Sequence, residues 1–179
     1  MESCAEACAK IGRKPAPPPT DFYDIEETDI KGEPLHFKQF AGKVLYIVNV
    51  ASYCGYTAEG YQLLRNLQQY REQGLETIIA PCNQFGFQEP GDSTAITAFA
   101  VDKQSFDGII LSKRDVNGPD TRPLFAHLKA ATGKNNIDWN FDGKFLISRE
   151  GIALYVEPHM DVEAEVRRLL LESSSETEL

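Results

Sequence analysis

Apolar positions along the chain fall into short continuous runs that alternate with stretches of helical spacing. Residues 43–50, KVLYIVNV, are β-branched, aromatic and almost continuously apolar. This is the pattern of a strand buried on both faces. Residues 57–73 carry Tyr61, Leu64, Leu67 and Tyr70 at helical spacing, with Gly74 as a stop. Residues 76–81, ETIIAP, predict a second buried strand. Residues 93–100 predict a short helix capped by Asp92 or Ser93. Residues 107–111 predict a strand. Residues 121–131 predict a helix, with Pro123 in its first turn and Gly133 beyond its end. Residues 144–147 and 152–156 predict a hairpin around Arg149-Glu150-Gly151, and residues 161–171 a last amphipathic helix. Nearer the start, residues 22–25 and 34–37 flank a turn at Lys31-Gly32 and predict a short hairpin.

Strands, then alternating strand and helix, then a hairpin and a helix define an α/β class with helices flanking a central mixed sheet. A thioredoxin-like architecture fits this order. At 179 residues the chain has the length of one domain. Residues 1–20 end in PAPPPT, whose prolines lack donors and fix φ, so they read as a flexible Pro-rich arm. The folded domain is expected over 21–172. Residues 173–179 form a polar, acidic tail.

Charge narrows the function classes. With 18 Lys and Arg against 27 Asp and Glu, the net charge is −9. Nucleic acids and anionic membranes call for a basic surface, so neither is an expected partner. No apolar run approaches the length of a spanning helix, so no stable membrane insertion is expected. Four cysteines, Cys4, Cys8, Cys54 and Cys82, are too sparse for a disulfide-stapled scaffold. The first residues lack the apolar core of a secretory signal. The expected location is cytoplasmic, where thiols stay reduced.

Cys54 lies just beyond the most apolar strand and just before a helix, in Asn49-Val50-Ala51-Ser52-Tyr53-Cys54-Gly55-Tyr56-Thr57. Unpaired N–H groups and the positive end of a helix dipole favour thiolate over thiol there. A lone cysteine is otherwise as often a buried, inert one. A disulfide oxidoreductase of the C-x-x-C type would place its second cysteine at Thr57. With threonine there, one reactive thiol fits a peroxidase better than a dithiol reductase.

The blocks NVASYCGYT, PCNQFGFQEPG, VNGPDTRPLF and WNFDGKFLI, in this order, resemble the glutathione peroxidases. The similarity runs from about residue 22 to about residue 171. Within the family the chain resembles the monomeric, cysteine-containing, phospholipid-hydroperoxide type. The resemblance implies a thioredoxin-like fold and reduction of hydrogen peroxide and organic or lipid hydroperoxides. It places the peroxidatic residue at Cys54 and the active-site amide at Gln88. It places the family's tryptophan and asparagine at Trp139 and Asn140. It implies no metal and no bound cofactor. Glutathione or a thioredoxin-like thiol serves as the reducing co-substrate of a Cys54 sulfenic acid. Gln88, Trp139 and Asn140 are neutral donors, suited to stabilising negative charge on sulfur or a peroxide oxygen. Taken alone, a single tryptophan is usually core, an asparagine beside it a loop terminator, and a glutamine in such a loop solvated.

Several departures from the family pattern carry weight. The nucleophile is cysteine where other members have selenocysteine. Many cysteine members carry a resolving cysteine in the helix after the EPG block, and here Val101 falls at or near that place. This favours direct attack of glutathione over thioredoxin recycling. Cys82, at a strand end and expected to be half-buried, is a minor candidate for resolver. Cys4 and Cys8 lie on the arm, and a zinc site from them with His36, His127 or His159 is a weak alternative. Asp142-Gly143 reads as an insert that could shift the hairpin beside Trp139 and Asn140. The connection from Val101 to Thr121 is short, which by analogy predicts a monomer. Thr177-Glu178-Leu179 has the form of a PDZ-type terminus. The alternative function is a redox relay, in which oxidised Cys54 passes its oxidation to a partner protein thiol.

Overall fold

Seven consecutive buried residues, Val44–Val50 (β3), form the centre of a five-stranded sheet. The computed structural model describes residues 21–172. The arm, the tail, Cys4, Cys8 and the PDZ-type terminus lie outside the described residues.

The preceding strands, Glu26–Thr28 (β1) and Pro34–His36 (β2), pair with each other in a small antiparallel ribbon. After β3 come helix α1 (Thr57–Leu67) and strand β4 (Leu75–Pro81). Helix α2 (Ser93–Thr97) and strand β5 (Ile109–Ile110) follow, then helix α3 (Pro123–Thr132). Strands β6 (Lys144–Ile147) and β7 (Ala153–Tyr155) and helix α4 (Val162–Leu171) complete the order. The main sheet runs β5-β4-β3-β6-β7, with β3, β4 and β5 parallel and β6 and β7 antiparallel additions.

Strand alternation sorts β3 between two cores. Val44, Tyr46, Val48 and Val50 face a cluster with Tyr61, Leu64 and Leu67 of α1 and Val166 and Leu169 of α4. Leu45 and Ile47 face the opposite cluster, with Leu124, Phe125 and Leu128 of α3. Each fully buried aliphatic side chain contributes about 1.5–3 kcal/mol, and burial on both faces is why the run is continuous.

The elements match the sequence pattern, with differences at their ends. Residues 22–25 are not a strand. Phe22–Asp24 form a 3-10 turn capped by Asp21, whose side chain accepts from Tyr23 N, and the ribbon starts only at Glu26. The helix expected over 57–73 is α-helical to Leu67 and tightens into a 3-10 turn over Gln68–Gln73. It ends at Gly74, whose φ of 105° suits glycine. Asp92, not Ser93, caps α2 by accepting from Ala95 N. Beyond Thr97 the chain continues as a π turn, Ala98–Lys103. The expected strand 107–111 shortens to Ile109–Ile110.

A buried ion pair, absent from the sequence analysis, ties the ribbon to α3. Arg122 and Glu27 are both buried. Arg122 Nε and Nη2 donate to the two Glu27 oxygens at 3.1 and 2.9 Å, and Nη1 donates to Ser112 O at 2.9 Å. Glu27 also accepts from Leu124 N at the start of α3, at 3.0 Å.

Candidate active site

The carboxyl ends of the parallel strands β3 and β4 deliver the two loops that carry the candidate residues, where open α/β sheets place their ligands. The first loop, 51–56, is closed by one hydroxyl. Thr57 Oγ1 accepts from Cys54 N at 3.0 Å and donates to Ala51 O at 2.8 Å. This residue replaces the second cysteine of a dithiol motif, and it holds the turn that presents the first. Cys54 is a free, half-buried thiol. Its Sγ accepts from Tyr56 N at 3.4 Å.

The second loop, 82–92, carries Gln88. Asn140 Nδ2 donates to Gln88 Oε1 at 2.9 Å and lies 3.3 Å from Phe85 O. Gly86, with φ +65°, sits between Gln88 and Trp139. A side-chain carbon there would come within 3.4 Å of both the Gln88 amide and the Trp139 ring. Gln88, Trp139 and Asn140 thus form one cluster. No hydrogen bond joins Cys54 Sγ to their side chains among the described residues. The link is through backbone: Tyr53 N donates to Gln88 O at 3.1 Å. Trp139 is 40% exposed, so it is not the core residue that a lone tryptophan usually is. Asn140 is buried.

Two residues that sequence reasoning did not single out hold the Trp139 segment. Asn49, within β3, donates from Nδ2 to Trp139 O at 3.0 Å and accepts at Oδ1 from Gly143 N at 2.8 Å. Its own carbonyl accepts from Phe141 N at 2.9 Å. An asparagine inside an otherwise apolar strand was the available signal. Gly60, on α1, leaves the space that the Phe141 ring fills. Asp142 and Gly143, read as an insert that could shift the hairpin, are hydrogen-bonded in place. Asp142 accepts from Asp138 N at 2.8 Å and from Tyr155 Oη at 3.0 Å.

The surroundings mix exposed aromatic side chains with the charged groups Glu59, Asp138, Asp142 and Lys144. Tyr53, Tyr56 and Phe87, each next to or near a candidate residue in the chain, are 70%, 58% and 80% exposed. A cavity of about 480 Å³ adjoins Trp139 and Asn140, with Tyr46, Tyr56, Leu63 and Tyr155 among its walls.

Cys82 is fully buried, not half-buried as expected. It closes β4, its amide donates to Val50 O, and burial pushes its thiol pKa up. Both properties oppose a role as resolver. Val101 lies exposed in the π turn after α2. Among the described residues, no group of three His, Cys, Asp or Glu side chains could hold a metal ion. No helix there is long and apolar enough to cross a membrane.

The chain is similar to known proteins. The family model "Glutathione peroxidase" matches residues 22–129. A probable phospholipid hydroperoxide glutathione peroxidase of Citrus sinensis is 41% identical over 160 residues, covering 84% of this chain and 95% of that protein. The crystal structure of T. cruzi GPX1 superposes with a TM-score of 0.65 at 33% identity, covering 84% of this chain and 95% of the other. A thioredoxin family protein from Chlorobium tepidum, 17% identical, superposes with a TM-score of 0.55 over 88% of this chain and 96% of its own. The last likeness establishes the thioredoxin-like fold. With the family model spanning most of the described residues, the conclusion is direct: the chain belongs to the glutathione peroxidase family, oxidoreductases that reduce hydroperoxides at the expense of a thiol.

Proposed function

We propose that Cys54 is the peroxidatic nucleophile and that Gln88, Trp139 and Asn140 are the polar groups around its reaction. The Cys54 thiolate attacks the peroxide O–O bond and takes the terminal hydroxyl, becoming a sulfenic acid. The alkoxide leaves and takes up a proton. A first glutathione thiol condenses with the sulfenic acid, releasing water and forming a mixed disulfide. A second thiolate attacks that disulfide and returns Cys54 to the reduced state. The observation that carries this reading is the Tyr53–Gln88 backbone hydrogen bond, which ties the thiol-bearing turn to the loop of the amide cluster.

The exposed rim of Tyr53, Tyr56, Phe87 and Trp139 supports organic and lipid hydroperoxides as substrates beside hydrogen peroxide. The name of the Citrus sinensis relative points the same way. Valine at position 101 and burial of Cys82 support glutathione as the reductant. We place the enzyme in the cytoplasm as a monomer. The sparse cysteines of the sequence support a reducing compartment, and the short connection from Val101 to Thr121 supports the monomer.

Steady-state turnover of a hydroperoxide with glutathione as sole reductant tests the assignment. Sustained turnover by the wild type and none by Cys54→Ser is the expected result. Retained turnover in Cys54→Ser removes Cys54 from the chemistry. A burst that stalls after one turnover assigns the relay function instead.

A further inference from the structure

Three buried side-chain atoms among the described residues have no hydrogen-bond partner: Asn140 Oδ1, Glu89 Oε2 and Tyr61 Oη. The first belongs to the site already described. The second belongs to a buried carboxyl immediately after Gln88 that the peroxidase chemistry does not use. Burying a carboxyl with one unsatisfied oxygen is costly, so its retention calls for a role.

Glu89 joins several segments. Ser52 Oγ donates to Glu89 Oε1 at 2.6 Å, a short contact of the charge-assisted kind. Glu89 N donates to Asn83 Oδ1 at 3.0 Å, and Lys113 Nζ donates to Glu89 O at 3.1 Å and to Gly91 O at 2.7 Å. The carboxyl has Tyr61 of α1 within electrostatic reach: burial first, then the charge of Glu89, raises the Tyr61 hydroxyl pKa. The contact with Ser52 sits directly beside the Tyr53 N–H to Gln88 O bond. Ser52 therefore faces Glu89, and Tyr53 faces Gln88, two stitches between antiparallel stretches. The next residue on one side is Cys54. On the other side, Gln88 itself presents the amide.

We propose that Glu89 is a positioning residue that, through Ser52, holds the Cys54 turn in register with Gln88. This inference rests on the peroxidase reading. One stitch constrains the separation of the two loops, and the adjacent pair constrains the twist of the thiol-bearing turn as well. Misplacement of reacting groups by about an ångström costs orders of magnitude in rate. Alkylation of the same thiol needs only thiolate and access. A positioning role therefore separates two reactions of one sulfur, and a merely structural role does not.

The test compares wild type, Ser52→Ala, Glu89→Ala and Glu89→Gln. One measurement is the single-turnover rate of Cys54 oxidation by hydrogen peroxide. The other is the rate of Cys54 alkylation by iodoacetamide, both per folded molecule. Ser52→Ala and Glu89→Ala are expected to slow peroxide oxidation about tenfold or more, with alkylation unchanged within about twofold. Glu89→Gln keeps an acceptor for the Ser52 hydroxyl and restores most of the oxidation rate. Wild-type oxidation rates in Ser52→Ala and Glu89→Ala overturn the proposal. So does a parallel fall of alkylation and oxidation, or a loss in Glu89→Gln as large as in Glu89→Ala. Should Glu89→Ala fail to fold, Ser52→Ala alone decides by the same criteria. Failure of the wild type itself to react with peroxide would overturn the underlying peroxidase reading, a result distinct from any of these.

Discussion

The buried amide of Asn49 donates a 3.0 Å hydrogen bond to the carbonyl of Trp139, ninety positions away in the chain. The same amide accepts from Gly143 N, so one side chain on the central strand clasps both ends of the Trp139 segment. Replacing Asn49 with leucine leaves Gly143 N unpaired in the interior and Trp139 O with Asp142 N, at 3.3 Å, as its remaining donor. The expected loss is about 1–3 kcal/mol of stability, read from urea unfolding. Turnover per folded molecule is expected to fall with it, because Trp139 and Asn140 lose their fixed position. Wild-type turnover in this variant would show that the clasp serves folding alone.

Gly60→Ala tests the packing behind that segment. In a solvent-exposed helix interior, alanine would stabilise by about 1 kcal/mol over glycine. Here the new methyl group would overlap the Phe141 ring, which approaches Gly60 closely. Phe141 is itself held at φ 63° and has little freedom to retreat. The expected net effect is a loss of about 1–3 kcal/mol. Combining Gly60→Ala with Phe141→Leu should recover part of it in a thermal melt. A stabilised Gly60→Ala would contradict this account of the contact.

The Arg122–Glu27 pair gives a sharper thermodynamic test. Arg122→Met strands the Glu27 carboxylate in the interior, with Leu124 N as its remaining hydrogen-bond partner. Breaking such a pair from one side costs about 3–5 kcal/mol. The double variant Arg122→Met with Glu27→Leu should regain much of the loss, since both charges are then gone. Equal stability of the single variant and wild type would refute the assignment of a tightly coupled pair.

Stability should depend on pH through Glu89. Burial holds its carboxyl above the ordinary 4.5, against the lowering by Ser52 and Lys113. A raised folded-state value means that the native state binds the proton more tightly than the unfolded chain. That contribution is fully present below the unfolded value and is lost as pH rises through the folded value. Glu89→Gln does not titrate, so it should gain stability relative to wild type as pH rises from below the ordinary carboxyl value through the raised folded-state value. Thermal melts across that range measure the difference, and a gap independent of pH would contradict the shift.

What was legible in the sequence follows from physical range. β3 announced itself because burial on both faces removes polar residues from a run. Cys54 stood out because a strand–helix junction is a local feature. The helix ends were less legible. The π turn after Thr97 and the 3-10 turn after Leu67 are set by packing, not by propensity. Gln88, Trp139 and Asn140 came through family resemblance, because their meeting depends on two loops joined only in the fold. Asn49, Arg122 and Glu89 carried no local signal beyond a polar letter. Each acts on a segment distant in sequence, Arg122 on Glu27, 95 positions away. The half-burial expected of Cys82 failed for the same reason, since the core beneath β4 encloses it.

Intact mass after one equivalent of hydroperoxide, with thiol trapping and with glutathione present or absent, tests the central assignment most directly. The account predicts one added oxygen, confined to Cys54, converting to a single glutathione adduct, with Cys82 still reduced. An oxidised chain in which Cys54 remains a free thiol would contradict it.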